Sequence, residues 1–296
     1  MPQELITSAQ NPKIKRLLAL QKESSLRRET GLFVVEGRRE LEHCTSAGFE
    51  LDTLFICPSL AGDSSSFGST LPENVATRPL PRKRGPLPLM EPRVATVFRE
   101  STAEAGARVF EVSEEVYEKV AYRGGTEGVI AEVKSKTRRL EDLNLPENPL
   151  IMVLESIEKP GNLGAVLRSA DSAGADAVLI CDPLTDLWNP NLIRASIGAV
   201  FTVPVAVCTS EQAITWLKSL GIRILTAQLQ DSSLYYDCDM RGGTALVMGT
   251  ESTGLSEQWR AAADAHIRIP MLGRLDSLNV SVSAAILLFE AVRQRQ

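Results

Sequence analysis

Residues 150–182 read LIMVLESIEKPGNLGAVLRSADSAGADAVLICD. The first eight, LIMVLESI (150–157), form a near-continuous apolar run, the pattern of a strand buried on both faces. NLGAVLRSADSAG (162–174) has helical spacing and closes on a glycine, where helices commonly stop. AVLICD (177–182) is a second apolar run. A strand, a helix and a strand with short connections make a β-α-β unit, whose two strands run parallel.

The rhythm continues to the C-terminus. Helical NPNLIRASIGAV (189–200) precedes a strand, VPVAVC (203–208). TSEQAITWLKSLG (209–221) is a helix with a Thr or Ser cap. IRILTAQ (222–228), ALVMGT (245–250) and IRIP (267–270) are further strands. SLNVSVSAA (277–285) alternates like a strand, then runs into ILLFEAVRQ, which has helical spacing. Taken alone, its Ser and Asn are the cap of a terminal helix. From residue 150 onward the pattern predicts an α/β fold, a parallel sheet with helices on both faces.

Upstream, PKIKRLLALQKESSLRR (12–28) places Ile14, Leu17, Leu18 and Leu20 on one helical face. LFVVEG (32–37) and LDTLFICP (51–58) read as strands around a helix, RRELEHCTSAG (38–48). VFEVSEEVYEKVAYR (109–123) is a strand and a helix, and GVIAEVKSK (128–136) a closing strand. This is a small α/β unit over 1–137. Its segment 59–102 is rich in Pro, Ser and Gly, the composition of a flexible insertion. The polar, Pro-bearing stretch 138–149 is the expected linker to a second domain at 150–296.

The chain has 296 residues, 44% hydrophobic and 23% charged, with a net charge of −5. No apolar run approaches the roughly 20 residues that span a bilayer. The N-terminus lacks the apolar core of a signal peptide. A cytoplasmic address with no membrane partner is therefore expected. Five scattered cysteines with no C-x-x-C pair indicate reduced thiols. Two histidines without a Cys/His cluster give no zinc site, so no metal is expected. The net charge disfavours nucleic acid, yet positive residues cluster: Lys13, Lys15 and Arg16, then Arg27 and Arg28, then Arg38 and Arg39. Such patches bind phosphate or are simply solvated faces.

Three segments leave strands with polar, Gly-rich content: SIEKPGNLGAVLRSA (156–170), MGTESTGLSE (248–257) and IPMLGRLDSLNVSVSAA (269–285). Open parallel sheets bind ligands beyond the carboxyl ends of their strands. None of the three is G-x-G-x-x-G or a Walker A loop, so a dinucleotide or NTP site lacks its fingerprint. Each alone is an ordinary strand-to-helix loop. Three at one sheet edge point to a ligand site.

Together the three closely resemble the motifs of the SpoU (TrmH-like) branch of the SPOUT RNA methyltransferases. The first block, N-x-G-A-x-x-R-x-A, is matched by Asn162, Gly164, Ala165, Arg168 and Ala170. The second, G-x-E-x-x-G-L, is matched by Gly249, Glu251, Gly254 and Leu255. The third runs from Ile269 to Val282, with Gly273, Ser277, Leu278 and Asn279 in place. The first half looks like the substrate-binding domain that precedes many SpoU catalytic domains, a fold similar to ribosomal protein L30e.

The resemblance implies a parallel-sheet domain with a deep trefoil knot, S-adenosylmethionine as cofactor, and a homodimer. Backbone around Gly249, Gly254, Ile269, Met271, Gly273 and Leu278 would hold the cofactor. Arg168, Asn162, Glu251, Ser277 and Asn279 would be the catalytic set. An arginine with a pKa above about 12 is no proton acceptor, so Arg168 is expected to grip phosphate and polarise a ribose 2′-hydroxyl. Glu251 also reads as a charge answering a helix dipole. Lys13, Lys15, Arg16, Arg38 and Arg39 would contact the RNA backbone. The substrate class expected is ribosomal RNA; transfer RNA, or a non-catalytic RNA-binding role, are the alternatives. The intact S-L-N-V-S-V argues for ribose over base methylation.

Overall fold

The structure is a computed structural model that describes residues 5–61, 106–122, 127–250, 253–274 and 277–296. Most of the insertion expected at 59–102 lies outside the described residues, from 62 onward. The first half contains strands β1 (Leu5–Ile6), β2 (Leu32–Glu36), β3 (Leu51–Ile56), β4 (Arg108–Val112) and β5 (Val129–Lys134). They form one mixed sheet in the order β1-β4-β3-β5-β2. Helix α1 (Pro12–Lys22) starts at Asn11, whose Oδ1 accepts from the Lys13 N–H at 2.9 Å, with Pro at the first helical position. It buries Ile14, Leu17 and Leu20 against Phe55 and Ile130 of the sheet.

The single helical run expected over 12–28 is broken. Glu23 is extended (φ −104°, ψ 108°), and α2 (Ser24–Thr30) sets off anew. The break turns Arg27 inward, where it donates to Leu20 O at 2.6 Å and pairs with Asp186 of the second half at 2.5 Å. An arginine of a sequence-level basic cluster is thus an internal strut. Helices α3 (Arg38–Ser46) and α4 (Glu114–Val120) complete this half.

The second half is a seven-stranded sheet whose pairings are all parallel. Its strands are β6 (Leu150–Glu155), β7 (Ala177–Cys181), β8 (Val205–Cys208), β9 (Arg223–Ala227), β10 (Ser233–Leu234), β11 (Thr244–Met248) and β12 (Ala265–Arg268). Their order is β10-β12-β9-β11-β6-β7-β8. All of β6 is buried; Met152 and Leu154 face one core, Ile151 and Val153 the other. Helices α5 (Pro160–Ala173) and α10 (Val280–Gln294) cover the first face. Helices α8 (Ser210–Ser219) and α9 (Glu257–Ala262) cover the second.

Three local readings differ from the sequence pattern. The helix expected at 189–200 is α6 (Pro190–Ser196) and α7 (Ala199–Thr202), separated by left-handed Ile197 (φ 52°) and Gly198 (φ 84°). A side chain at 198 would come within 2.7 Å of His43, so the bend fits the second half onto α3. The alternating SLNVSVSAA does not form a strand; Asn279 caps a helix that begins at Val280 and buries Ala284, Leu287 and Leu288. Helix α9 was hidden in polar sequence and is fixed by fully buried Trp259.

The halves share one core. The Phe33 ring stacks on Trp188 at 4.4 Å, and Phe49 and Phe201 pack around the pair. Within 138–149, Leu140 is buried against the second-half core with Leu143 and Leu145 beside it. No described helix is long and apolar enough to cross a membrane, and all five cysteines are free.

Candidate active site

A cavity of about 370 Å³ opens at the carboxyl ends of β9, β11 and β12. That size suits a small-molecule site, and the position is the ligand edge of a parallel sheet. Met248 and Gly249 leave β11, Ile269 leaves β12, and Ala227 and Gln228 leave β9 to line it. Ser277, Leu278, Val280, Ser283 and Leu287 close it from the start of α10. Of the six residues expected at the cofactor, Gly249, Gly254, Ile269, Met271 and Leu278 form the wall. Gly273 does not, and a side chain added there would meet nothing within 4 Å.

The loop after β11 is tight. Thr250 and Gly254 exchange two backbone hydrogen bonds, of 3.1 and 3.2 Å. Gly254 is left-handed (φ 68°), and a Cβ at Gly249 would stand 2.2 Å from Gly254 O. Only glycine fits that crossing. The wall also holds two polar atoms without partners, Gln228 Oε1 and Arg260 Nε. Buried polar groups are normally paired. A ligand with an apolar ring and several polar groups, as S-adenosylmethionine has, matches this mixture of Ile269, Leu278, exposed loop backbone and orphaned atoms.

The catalytic set is only partly brought to this wall. Ser277 lines the cavity. Asn279 caps α10: its Oδ1 accepts from the Ser281 N–H at 2.9 Å, while its Nδ2 donates to Asn162 Oδ1 at 3.2 Å. That bond joins the first motif, on α5, to the third. Arg168 stands on the exposed face of α5, outside the cavity wall. Glu251 lies outside the described residues.

Sequence reasoning missed the network behind the loop. Glu155, nine-tenths buried, accepts from the Ser256 N–H at 2.8 Å and from Ser210 Oγ at 3.3 Å. Ser210 Oγ also meets Asp182 Oδ2 at 2.6 Å and accepts from Trp259 Nε1 at 2.9 Å. Glu155 thereby ties the end of the Gly249–Leu255 loop to β6. Its one sequence signal was a carboxylate closing an apolar strand. Gln228 and Arg260 carried no motif.

The five residues expected to touch RNA fare differently. Lys15 and Arg39 are exposed. Lys13 Nζ sits 4.5 Å from the Phe110 ring centre. Arg16 pairs with Asp52 at 3.0 Å and Glu132 at 2.6 Å while its side chain stays 39% exposed. Arg38 donates to Ala61 O, and its backbone N–H donates to Glu127 at 2.5 Å. Arg16 and Arg38 are therefore engaged by the protein itself, because long cations near buried carbonyls and carboxylates pair locally.

Comparison with known proteins identifies the family. Residues 149–289 match the SpoU rRNA Methylase family, and residues 11–79 match the MRM3-like substrate binding domain. A Burkholderia 23S rRNA (guanosine-2′-O-)-methyltransferase, RlmB, is 36% identical over 203 residues, 67% of this chain and 82% of the relative. The Bordetella pertussis protein of the same name is 35% identical over 67% of this chain and 83% of its own length. An AdoMet-bound rRNA methyltransferase from Sinorhizobium meliloti superposes with a TM-score of 0.82 at 28% identity, covering 98% of this chain and 97% of that one. With a relative 36% identical and covered over 82% of its length, and the family's model matched across the domain that holds this cavity, the chain belongs to the SpoU rRNA methylase family.

Proposed function

We propose that this protein transfers a methyl group from S-adenosylmethionine to a ribose 2′-hydroxyl of ribosomal RNA, a 23S guanosine being the target its relatives' names suggest. The observation that carries the reading is the convergence of three motifs, with Gly249, Ile269 and Leu278 on one cavity and Asn279 bonded to Asn162. The bound cofactor supplies an electrophilic methyl on a sulfonium. The chain's share is to hold the hydroxyl oxygen in line and ease loss of its proton, and positioning of this kind carries much of such a rate gain. Arg168, whose guanidinium is a hydrogen-bond donor only, grips phosphate and polarises the hydroxyl, whose proton passes to phosphate or water. Lys15 and Arg39, exposed cations of the first half, are read as contacts for the RNA backbone.

We further read the active unit as a homodimer, acting in the cytoplasm. Val282 and Phe289, two helical turns apart on α10, are each 47% exposed, an apolar stripe suited to a second copy. Arg168 stands outside its own cavity wall, which fits service to the partner's cavity. The insertion of β11 between β6 and β9, both made earlier in the chain, favours the deep trefoil knot.

The test is transfer of labelled methyl to ribosomal and transfer RNA offered separately, with products mapped for 2′-O-methyl ribose. Label at one ribosomal ribose, lost in Arg168→Ala, is expected. Label in transfer RNA alone moves the substrate, and label on a base sinks the ribose assignment. Cofactor binding without transfer to either RNA supports a binding module instead.

A further inference from the structure

Tyr122 stands at the seam between the halves, with its side chain 49% exposed. Its backbone N–H donates to Glu36 Oε2 at 2.9 Å, which fixes it beside the end of β2. The Arg194 guanidinium, from α6 in the other half, lies 4.8 Å from its ring centre. Arg194 is itself held, donating to Asn191 Oδ1 at 2.9 Å. The ring is thus met by a held cation while about half of the residue stays exposed.

The place is close to the reaction helix. Gly164 of α5 takes the crossing of α6, since a Cβ there would come within 2.6 Å of Leu192 O and 2.7 Å of Ala195. Asn162 is half a turn before Gly164, and Arg168 about one turn after it. Tyr122 meets α6 through the Arg194 side chain, and α6 in turn crosses α5 at Gly164. The two Cα supports belong to different halves, so the pair exists only when both are docked.

We propose that Tyr122, backed by Arg194, is a stacking platform for an unpaired base of the RNA substrate near the methylated ribose; this rests on the RNA methyltransferase reading above. Single-stranded RNA is recognised by stacking splayed bases on aromatic rings and arginine planes. The cation behind the ring strengthens it as a cation–π pair and attracts the adjoining phosphates. The hydrogen bond from Tyr122 to Glu36 runs through the main chain, so it does not occupy the ring. The bland alternative is a clasp that only joins the halves.

The test is fluorescence anisotropy with a 12-nucleotide oligoadenylate and a base-free spacer oligomer of equal length. Wild type should prefer the base-bearing oligomer. Tyr122→Ala should bind it about 10-fold more weakly, the scale of one stacked base, with spacer binding unchanged and Tyr122→Phe restoring affinity. Because Tyr122 is anchored through its backbone, the alanine variant keeps that bond. Equal affinity of wild type for the two oligomers overturns the platform. So does a Tyr122→Ala loss shared by both oligomers, the mark of a clasp, or a variant that binds as wild type does. If wild type methylates ribosomal RNA while Tyr122→Ala keeps its KM, the platform fails and the methyltransferase reading stands. No methylation by wild type sinks that reading itself.

Discussion

At the scale of single residues, Asn279 shows how one side chain serves two ends. Its oxygen caps α10 and its amide nitrogen reaches Asn162. The two duties separate by substitution. Asn279→Ala removes both and should cost about 1 kcal/mol for the lost cap, lowering Tm by about 2 °C in a chain of this size, with a fall in kcat. Asn279→Asp keeps the capping oxygen and loses the donor to Asn162. Its Tm should return while kcat stays low. Recovery of both in the aspartate variant would mean the bond to Asn162 does nothing for the reaction. The doubled role also explains why capping and active-site readings of SLNVSVSAA looked like rivals in the sequence. Period and propensity report the cap; only the neighbouring helix reveals Asn162.

At the scale of elements, α1 is fastened to its sheet by Arg16, which reaches Asp52 on β3 and Glu132 on β5. Burial raises the Glu132 pKa, with Arg16 opposing. For Asp52 burial pushes upward too, but the Thr53 hydroxyl, Arg108 and Arg16 outweigh it and the net shift is downward. The signs oppose each other. An acid with a raised folded pKa binds its proton more tightly when folded, so its contribution to stability falls as pH rises from about 4.3, the ordinary value, through the folded value. Asp52 stabilises above about 3.9 and loses that effect as pH falls through its depressed value. Thermal melts of Glu132→Gln against wild type should isolate the first effect. Wild type is expected to lose Tm relative to the variant as pH goes from 4 to 7; the reverse slope would show that Arg16 outweighs burial. In sequence, Arg16 was indistinguishable from Lys15. The helix period put it near the face of Ile14 and Leu17, but not against two carboxylates some 36 and 116 residues away.

At the scale of the whole molecule, the aromatic group of Phe33, Phe49, Trp188 and Phe201 joins the halves into one core. Arg27 and Asp186 add an ion pair across the same seam. Two halves sharing a core should unfold together, with calorimetric and van't Hoff enthalpies in agreement. Trp188→Ala should cost about 3 kcal/mol and split the transition into two. A wild type that melts in two steps would show that the shared core does not couple them. The same seam holds Tyr122 and Arg194, so RNA contact and domain docking depend on one arrangement.

The sequence by itself determined the strand and helix alternation after residue 150 and the three polar segments at one sheet edge. Local period and turn chemistry encode these within a few residues of each other. It also carried the family motifs, and with them Gly249, Ile269 and Leu278 on the cavity. Tertiary structure alone decided that α1 and α2 part at Glu23, that α6 and α7 bend at Ile197 and Gly198, that Arg27 turns inward, and that Arg16 and Arg38 bond to the protein's own groups. It alone set Glu155 behind the Gly249–Leu255 loop and Tyr122 under Arg194. Each of these rests on contacts between residues far apart in the chain, where burial and pairing override what a short window of sequence prefers.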